Sequence, residues 1–335
     1  MSELRYNMIN REWVVIASAR AKRPKDFISN KQTAKESVPY RKDCPFCVGN
    51  EALSPDETFR IGVGKEWKTR CIPNKFPALS ESQKLERHPS IFGNMISGFG
   101  MHEVVIEHPR HDAVIALMSD TEVEDIIRTY KARYDAMKHM EGIEAVTIFK
   151  NHGPGAGTSQ EHPHSQIIAT PIVPPQIRNR LDNAIRYFDL VGECIFCQSL
   201  QNELKEKKRV VMESEKFVAF LPFAGASPFV TWVFPRRHMA SFSLIDDAEI
   251  KDMARSLKSI LSRLYYGLGN PDFNYTIRSI PVHENDVEYF HWYLSIVPRI
   301  SQPAGFELGS GIFINTSLPE ESAEFLRQVK VKLSF

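Results

Sequence analysis

The hydrophobic and polar positions of the chain follow two different periods, which predict a mixture of strands and helices. Polar and apolar residues alternate over 102–107, apolar residues dominate 144–149, and the stretch 162–171 contains the apolar run 167–169, as is typical of strands. Residues 120–140 instead carry apolar side chains at helical spacing, with Asp120 or Thr121 able to cap the start. The first part of the chain is therefore predicted to run strand, helix, strand, strand.

The same order of elements recurs in the second part of the chain. A helix over 176–190 is followed by apolar strands at 216–223 and 231–235, a helix over 246–265, and strands over 274–278 and 290–298. His111 lies 51 residues before His162, and His238 lies 53 residues before His291. We therefore predict an α+β fold of two homologous halves, residues 1–175 and 176–335, with a mainly antiparallel sheet and helices on one face.

The composition excludes several classes of protein. The 335 residues are 42% hydrophobic and carry a formal net charge of +1, which argues against a protein that binds nucleic acid through a broad basic surface. No run of 18 apolar residues occurs, and the first residues lack a signal-peptide core. We expect a cytoplasmic protein with neither a membrane nor a nucleic-acid partner.

Four of the five cysteines form two C-x-x-C pairs, which indicate metal sites. In a chain without a secretion signal, such pairs favour metal over disulfides. A thioredoxin-like redox pair is the alternative, but neither pair visibly ends a strand that leads into a helix. Histidines at matching places of the repeat complete two predicted sites of the Cys₂His₂ type: Cys44, Cys47, His111 and His162 in the first half, and Cys194, Cys197, His238 and His291 in the second.

The first of these metal sites has a rival ligand, since His108 lies close to His111 in the sequence. His111 is preferred because it falls opposite His238 in the repeat. Cys₂His₂ is a closed, structural type of site that prefers zinc, although iron can occupy similar sites. We expect two structural zinc ions, with iron possible in one site.

A glycine-rich turn and the residues after it indicate chemistry at phosphorus. Gly153, Gly155 and Gly157 precede His162, His164 and Gln166, which alternate and so point in one direction along a strand. Successive amides of such a turn can form an anion-binding nest, for which loop amides 153–159 are candidates. The turn and the alternating side chains together predict a site that handles phosphate.

The two halves differ at the position of the reactive imidazole. Tyr293 stands where the repeat matches His164, and no glycine-rich turn precedes His291. A neutral imidazole is a good nucleophile toward phosphorus and, once substituted, a good leaving group. We predict that His164 is the nucleophile, with Ser159 and Gln166 stabilising the phosphoryl oxygens. Because a carboxamide provides no acid–base help to water, Gln166 favours transfer over hydrolysis.

Two arginines follow the predicted strand around Trp13. Arg20 and Arg23 carry forked donors that match phosphate oxygens, so the strand could deliver them to a phosphate. The alternative is a pair of solvated arginines after an edge strand.

These motifs, taken in order, resemble the galactose-1-phosphate uridylyltransferase branch of the histidine-triad superfamily. The resemblance covers nearly the full length, and its most specific part is the histidine-proline-histidine-x-glutamine core from His162 to Gln166. It also includes Trp13 to Pro24, Cys44 to Cys47, Pro73 to Leu79, Asn151 to Ser159, and Gly305 to Glu307.

The resemblance implies a duplicated fold, a homodimer, a nucleotidyl intermediate on His164, and nucleotide-sugar and sugar-phosphate substrates. Its implied site residues fall into three groups. The nucleoside pocket would be lined by Pro45, Phe46 and Asn74; the phosphates would be held by Arg20, Arg23, Gly157, Ser159 and Gln166; and the hexose would face Asn151, Phe306 and Glu307.

The chain departs from the common family pattern in three places, one of them residues 308–315, where the well-known enzymes have a glutamine that contacts the sugar nucleotide. It is more similar to the sub-branch that includes plant ADP-glucose phosphorylase. Ser165 stands where the core has glycine, and Lys75 stands where an acidic residue often follows the asparagine. The resemblance implies transfer of UMP between a UDP-hexose and a hexose 1-phosphate, in galactose metabolism. The alternative enzyme moves AMP from an ADP-sugar to phosphate. Two further alternatives are a zinc-ribbon module that binds nucleic acid and a nucleotide sensor without turnover.

Overall fold

A computed structural model describes residues 2–17, 24–28, 38–284 and 286–331. Within these ranges the strands are β1 (Glu3–Asn7), β2 (Glu12–Ile16), β3 (Phe59–Val63), β4 (Glu66–Pro73), β5 (Arg87–Ser90), β6 (Gly93–Ile96), β7 (Met101–Ile106), β8 (Ala145–His152), β9 (His164–Thr170), β10 (Val210–Glu213), β11 (Phe217–Phe220), β12 (Thr231–Pro235), β13 (Phe273–Arg278), β14 (Tyr293–Pro298) and β15 (Phe313–Asn315). The helices are α1 (Asp120–Lys138), α2 (Pro175–Val191), α3 (Ile195–Glu206), α4 (Asp247–Leu268), α5 (Gly305–Ser310) and α6 (Pro319–Gln328).

Ten of these strands form one continuous sheet, in the order β10-β11-β12-β14-β13-β8-β9-β7-β4-β3. All its ladders are antiparallel, which confirms the predicted mainly antiparallel α+β fold. At its centre β13 pairs with β8, where Asn274 lies opposite Asn151. The order outward from this pair is the same on both sides: β14 and β12 on one, β9 and β7 on the other. That arrangement is expected of a duplicated chain; the boundary at residue 175 stays a prediction.

The two long helices, α1 and α4, pack against one face of the large sheet. Apolar side chains of both helices share a core with alternate residues of the strands, such as Ile167 in β9 and Ala219 in β11. Helix α1 is capped by Ser119, one residue before the predicted cap, because its Oγ accepts a hydrogen bond from the Glu122 amide in a capping box. None of the described helices combines the length and apolar character needed to cross a membrane.

The opposite face of the sheet is covered by different elements. In the second half α2 and α3 pack on it, against the strand residues that point away from α1 and α4, such as Val218 and Phe220. In the first half a smaller cluster covers it, which includes both cysteines of the first pair and Trp67.

A three-stranded sheet, β1-β2-β15, lies beside the large sheet, with β2 and β15 parallel. It contains the strand predicted around Trp13. Arg20 and Arg23, which follow that strand, lie outside the described residues, so their predicted roles stay predictions.

Candidate functional site

Strand β9 places His164 and Gln166 on the sheet face that points away from α1. Gln166 lies between two neighbouring strands, opposite Val104 of β7 and Phe149 of β8. Ser165, between them, points to the other face, where its Oγ lies 2.6 Å from the hydroxyl of Tyr130 in α1. Because side chains alternate along β9, His164 and Gln166 lie on one face, as predicted. Ser165, which stands where the common core has glycine, contacts helix α1 on the other face.

The imidazole of His164 is held in the form that a nucleophile requires. Its Nδ1 lies 2.9 Å from the carbonyl oxygen of His162. Because a carbonyl can only accept, Nδ1 carries the proton and the lone pair is on Nε2. Burial lowers the pKa of His164, and the charge of Lys150 lowers it further. The ring is therefore neutral near pH 7, and the position of its lone pair on Nε2 is fixed by the strand that carries it.

The orientation of the Gln166 amide is set by His102, a residue of the neighbouring strand β7. The Ala78 amide donates to His102 Nδ1 at 3.1 Å, so the proton of the ring is on Nε2. That nitrogen lies 2.7 Å from Gln166 Oε1 and donates to it. The amino group of Gln166, which is the donor that a phosphoryl oxygen needs, consequently points away from His102.

Sequence reasoning placed His102 in a strand but did not assign it to the site. The hydrogen bond from His102 to Gln166 runs diagonally between β7 and β9. In this ladder Val104 is opposite Gln166, and His102 is opposite Ile168. Only the pairing of these strands in the correct register could have indicated it.

A buried polar network lies beneath β9 and fixes its backbone. Lys150 of β8 donates to the carbonyl oxygen of His164 at 3.0 Å and forms an ion pair with Glu107. The Tyr130 hydroxyl donates to the other Glu107 oxygen at 3.2 Å and also contacts the Tyr275 hydroxyl, which comes from β13. Burial and the charge of Glu107 raise the pKa of Tyr130, so the hydroxyl stays protonated. The network connects the backbone of His164 to the other half of the sheet.

The four ligands predicted for the first metal site converge. The ligand atoms of Cys44, Cys47, His111 and His162 all lie within 4.8 Å of one another, and all four residues are buried. Both imidazoles point Nδ1 at the sulfurs, with His162 Nδ1 3.7 Å from each sulfur and His111 Nδ1 3.6 Å from Cys47.

The environment of this group fits a metal ion of the zinc type. His162 donates through Nε2 to the carbonyl oxygen of His108 at 2.7 Å, which leaves Nδ1 as the lone-pair nitrogen. Burial lowers the pKa of His162 to about 3, so the ring is neutral, as a metal ligand must be. His108 itself contacts Glu122, and the group of mutually close ligand atoms includes His111 and not His108.

The second group that could hold a metal comprises Cys194, Cys197 and His238. His238 Nδ1 lies 3.1 Å from Cys197 Sγ. The fourth predicted ligand, His291, is outside this group of mutually close atoms, although its Nδ1 lies 3.2 Å from the same sulfur. Three of the four predicted residues are therefore brought together, and the role of His291 stays a prediction.

Phe46, within the first cysteine pair, lies between the metal group and the reactive histidine. Its ring centroid is 5.9 Å from that of His162 and 5.7 Å from that of His164. Asn74 is also close by: its backbone amide donates to the His102 carbonyl, and its Oδ1 accepts from the Phe76 amide. Two of the three residues predicted for the nucleoside pocket, Phe46 and Asn74, thus lie near His164 and Gln166.

The glycine-rich turn differs from the anion nest that the sequence predicts. The Gly155 amide donates to Oδ2 of Asp272 at 2.6 Å, and a Cβ on Gly153 would overlap the same carboxylate. The amides of residues 156–158 donate to the carbonyl oxygens of Gly153 and Pro154. Because these amides already donate within the protein, they do not form an open anion nest. The glycines instead allow the turn to lie against Asp272 of the second half. Gly157 (φ +86) and the exposed Ser159 stay predicted phosphate contacts.

The three residues predicted to face a hexose lie in two places. Asn151 of β8 accepts a hydrogen bond from Asn274 at 2.7 Å, on the same sheet as His164. Phe306 and Glu307 belong to α5, where Glu307 accepts from the Ala304 amide. In the described part of the chain α5 packs against β15, and the sugar contacts of Asn151, Phe306 and Glu307 stay predictions.

Comparison with known proteins agrees with this geometry. Residues 1–174 match the N-terminal domain, and residues 180–301 the C-terminal domain, of galactose-1-phosphate uridyl transferase. The chain is 38% identical to ADP-glucose phosphorylase of Arabidopsis thaliana, over 98% of this chain and 93% of that protein. It is 28% identical to the galactose-1-phosphate uridylyltransferase of Thermotoga maritima, over 99% and 100% respectively.

A solved structure of an ADP-glucose phosphorylase from Arabidopsis thaliana, with bound ADP-glucose, has the same fold. It superposes with a TM-score of 0.85 at 35% identity, and the alignment covers 99% of this chain and 100% of that one.

Proposed function

The chain belongs to the galactose-1-phosphate uridyl transferase family and is a nucleotidyltransferase, and on that premise we propose that it moves AMP from an ADP-sugar to phosphate through His164. The observation that carries this proposal is the hydrogen bond from His164 Nδ1 to the His162 carbonyl, which leaves Nε2 as the nucleophile. The first, catalytic half would comprise residues 1–175 and the second half, 176–335, would not react.

The reaction is a double displacement. Nε2 of His164 attacks the α-phosphorus, a P–N bond forms, and the bond from that phosphorus to the bridging oxygen breaks, releasing glucose 1-phosphate. An oxygen of inorganic phosphate then attacks the same phosphorus, the P–N bond breaks, and ADP leaves. The imidazole becomes cationic in the intermediate, and the His162 carbonyl, which accepts from Nδ1, stabilises that charge.

Gln166 would hold the phosphoryl group through both steps. Because its Oε1 accepts from His102, its amino group is free to donate to a non-bridging oxygen. Ser159, Arg20 and Arg23 would supply further donors. A neutral carboxamide cannot take a proton from water, so the intermediate is protected from hydrolysis.

We prefer adenine to uracil as the base of the substrate because of the sequence identities to the two kinds of relative. The ADP-glucose phosphorylase shares 38% of aligned residues with this chain, against 28% for the Thermotoga uridylyltransferase. The second candidate function is transfer of UMP between a UDP-hexose and a hexose 1-phosphate, which the matching family domains favour. Both functions use the same histidine.

We further propose that the two cysteine-histidine groups bind zinc. Two thiolates and two imidazole nitrogens are the donor set of a structural zinc site, which Cys44, Cys47, His111 and His162 provide. When bound, the metal would supply folding energy and hold the backbone of His162, whose carbonyl orients His164. Cys194, Cys197 and His238, with His291, would hold a second ion.

A homodimer would account for the position of α5. Phe306 is half exposed at the surface, at 52%, although the resemblance gives it a sugar contact. In a dimer, Phe306 would reach the sugar bound at the His164 site of the partner.

The proposal is tested by trapping the intermediate. The protein is incubated separately with ADP-glucose and UDP-glucose, each radiolabelled in the α-phosphate, and then denatured. Label retained from ADP-glucose, stable to alkali and labile to acid, is expected; retention only from UDP-glucose would establish the second candidate. No retained label from either compound would contradict nucleotidyl transfer and favour a sensor. An exposed histidine variant, His88→Asn, serves as the control.

A further inference from the structure

A cavity of about 330 Å³ lies over the second half of the sheet, away from His164. It is bounded by β12, β13 and β14 below and by β1, β2 and β15 at the side. Tyr293 is the first residue of β14, as His164 is the first residue of β9. Two positions later in each strand, Ser295 lines the cavity and Gln166 belongs to the His164 site. The cavity therefore occupies the place that corresponds, through the repeat, to the His164 site.

Three arginines line this cavity without an acidic partner. They are Arg180 of α2, Arg278 at the end of β13 and Arg299 just after β14. No carboxylate lies within ion-pair distance of their guanidinium groups in the part of the chain that the structure describes. Arg180 instead donates to Asn10 and to the Gln176 backbone, and Arg278 donates to the Gln176 side chain at 3.2 Å.

Two buried polar atoms at the wall of the cavity lack a hydrogen-bond partner among the described residues. They are Nε of Arg278 and Oγ of Ser227. A buried, unpartnered donor is costly, so such atoms are normally satisfied by protein, water or ligand. Burial lowers the pKa of Arg278, the charge of Arg180 lowers it further, and the charge of Glu12 opposes this change.

Two carboxylates also line the cavity, but each has a hydrogen-bond donor of its own. Glu12 accepts from the Asn10 side chain at 3.4 Å, and Glu307 accepts from the Ala304 amide at 3.0 Å. Three guanidinium groups face two carboxylates, so the cavity carries a net positive charge. An anion with several acceptor oxygens would satisfy the orphaned donors and reduce the repulsion between Arg180 and Arg278.

We propose that this cavity is a second, non-catalytic binding site for a small organic phosphate, whose phosphoryl group is held by Arg180 and Arg278. The phenol of Tyr293 stands in place of the nucleophilic imidazole, so the ligand is bound without transfer. Arg278 is the first residue to test because it carries the unpartnered Nε. The site does not depend on the chemistry at His164.

The test measures binding of glucose 1-phosphate to the full-length protein by isothermal titration calorimetry. Arg278→Gln and, separately, Arg180→Gln should each weaken one binding event at least about tenfold, the loss expected for a charge-assisted hydrogen bond. Gln166→Ala should leave that event unchanged. Arg255→Gln, on the exposed side of α4, is the matched control.

Failure of this proposal can be distinguished from failure of the proposed function, because the arginine variants should still form the labelled nucleotide adduct. Thermal unfolding of each variant checks that it is folded, and Arg180, on a helix surface, provides the second variant if Arg278→Gln is unstable. Binding that is unchanged in both arginine variants, or that is lost only in Gln166→Ala, would overturn the proposal. So would the absence of any binding to the wild-type protein.

Discussion

His102 Nε2 lies 2.7 Å from Gln166 Oε1, and this contact determines which end of the Gln166 amide points away from His102. The proton of His102 is placed on Nε2 by the Ala78 amide, which donates to Nδ1. His102 thus orients Gln166, and in the proposed reaction it would act as a positioning residue.

Replacement of His102 by alanine should lower kcat roughly 10- to 100-fold, because the Gln166 amide is then free to rotate away from its productive orientation. KM should change less than kcat, since the substrate loses no direct contact, although the neighbouring Asn74, whose Nδ2 lies 3.1 Å from His102 Nε2, loses one. Steady-state kinetics measure both values. His102→Gln, which can donate through its own amide, should recover part of kcat, whereas His88→Ala on the exposed β5–β6 hairpin should have no effect. Equal losses in His102→Ala and His102→Gln would contradict the positioning role.

Lys150→Met should destabilise the protein by about 3–5 kcal/mol, because it leaves the buried carboxylate of Glu107 without its partner. The double variant Lys150→Met with Glu107→Gln removes both charges and should be markedly more stable than the single one. Denaturant unfolding at neutral pH measures the free energies. A single variant as stable as the wild type would show that the ion pair does not hold the strand under His164.

Cys44→Ser and Cys194→Ser should each remove one equivalent of bound metal and lower stability, since binding energy at a structural site is folding energy. Elemental analysis of the purified wild type should find two equivalents of zinc per chain, or one of zinc and one of iron. Cys71→Ser is the matched control: this buried cysteine donates to Glu103 at 3.0 Å and belongs to neither group. Metal content unchanged in Cys44→Ser would refute the first site.

His152 should make the protein less stable in acid. Burial lowers its pKa from 6.5 to about 4, so the unfolded chain binds the proton more readily than the folded one between these values. The contribution of neutral His152 to the free energy of unfolding is therefore fully present above pH 6.5. It decreases, by up to about 1.4 kcal/mol per pH unit, as the pH drops toward 4. His152→Gln cannot ionise, so its unfolding free energy should fall less between pH 7 and pH 5. Parallel curves for the two proteins would contradict this assignment.

The sequence predicted the parts of the fold and site that depend on local spacing. The alternation from His162 to Gln166 put His164 and Gln166 on one face of β9, and the two C-x-x-C pairs located both cysteine-histidine groups. The capping residue of α1 was missed by one position, because Ser119 and Glu122 form a reciprocal pair that the apolar spacing alone does not indicate.

Contacts between distant elements could not be predicted in this way. Asp272 follows α4 in the second half, yet it binds the Gly155 amide of the first half, so the glycine-rich turn serves to dock the two halves rather than to expose these amides. The cavity beside Arg180 and Arg278 likewise combines residues from α2, β13 and the N-terminal strands. Only the assembled sheet brings these residues together.

The central claim is that one imidazole carries the nucleotide, and mass spectrometry of the trapped protein tests it most directly. After reaction with ADP-glucose and digestion under alkaline conditions, the peptide containing His164 should gain the mass of AMP, and His164→Asn should show no adduct on any peptide. An adduct on another residue, or one that still forms in His164→Asn, would contradict the account.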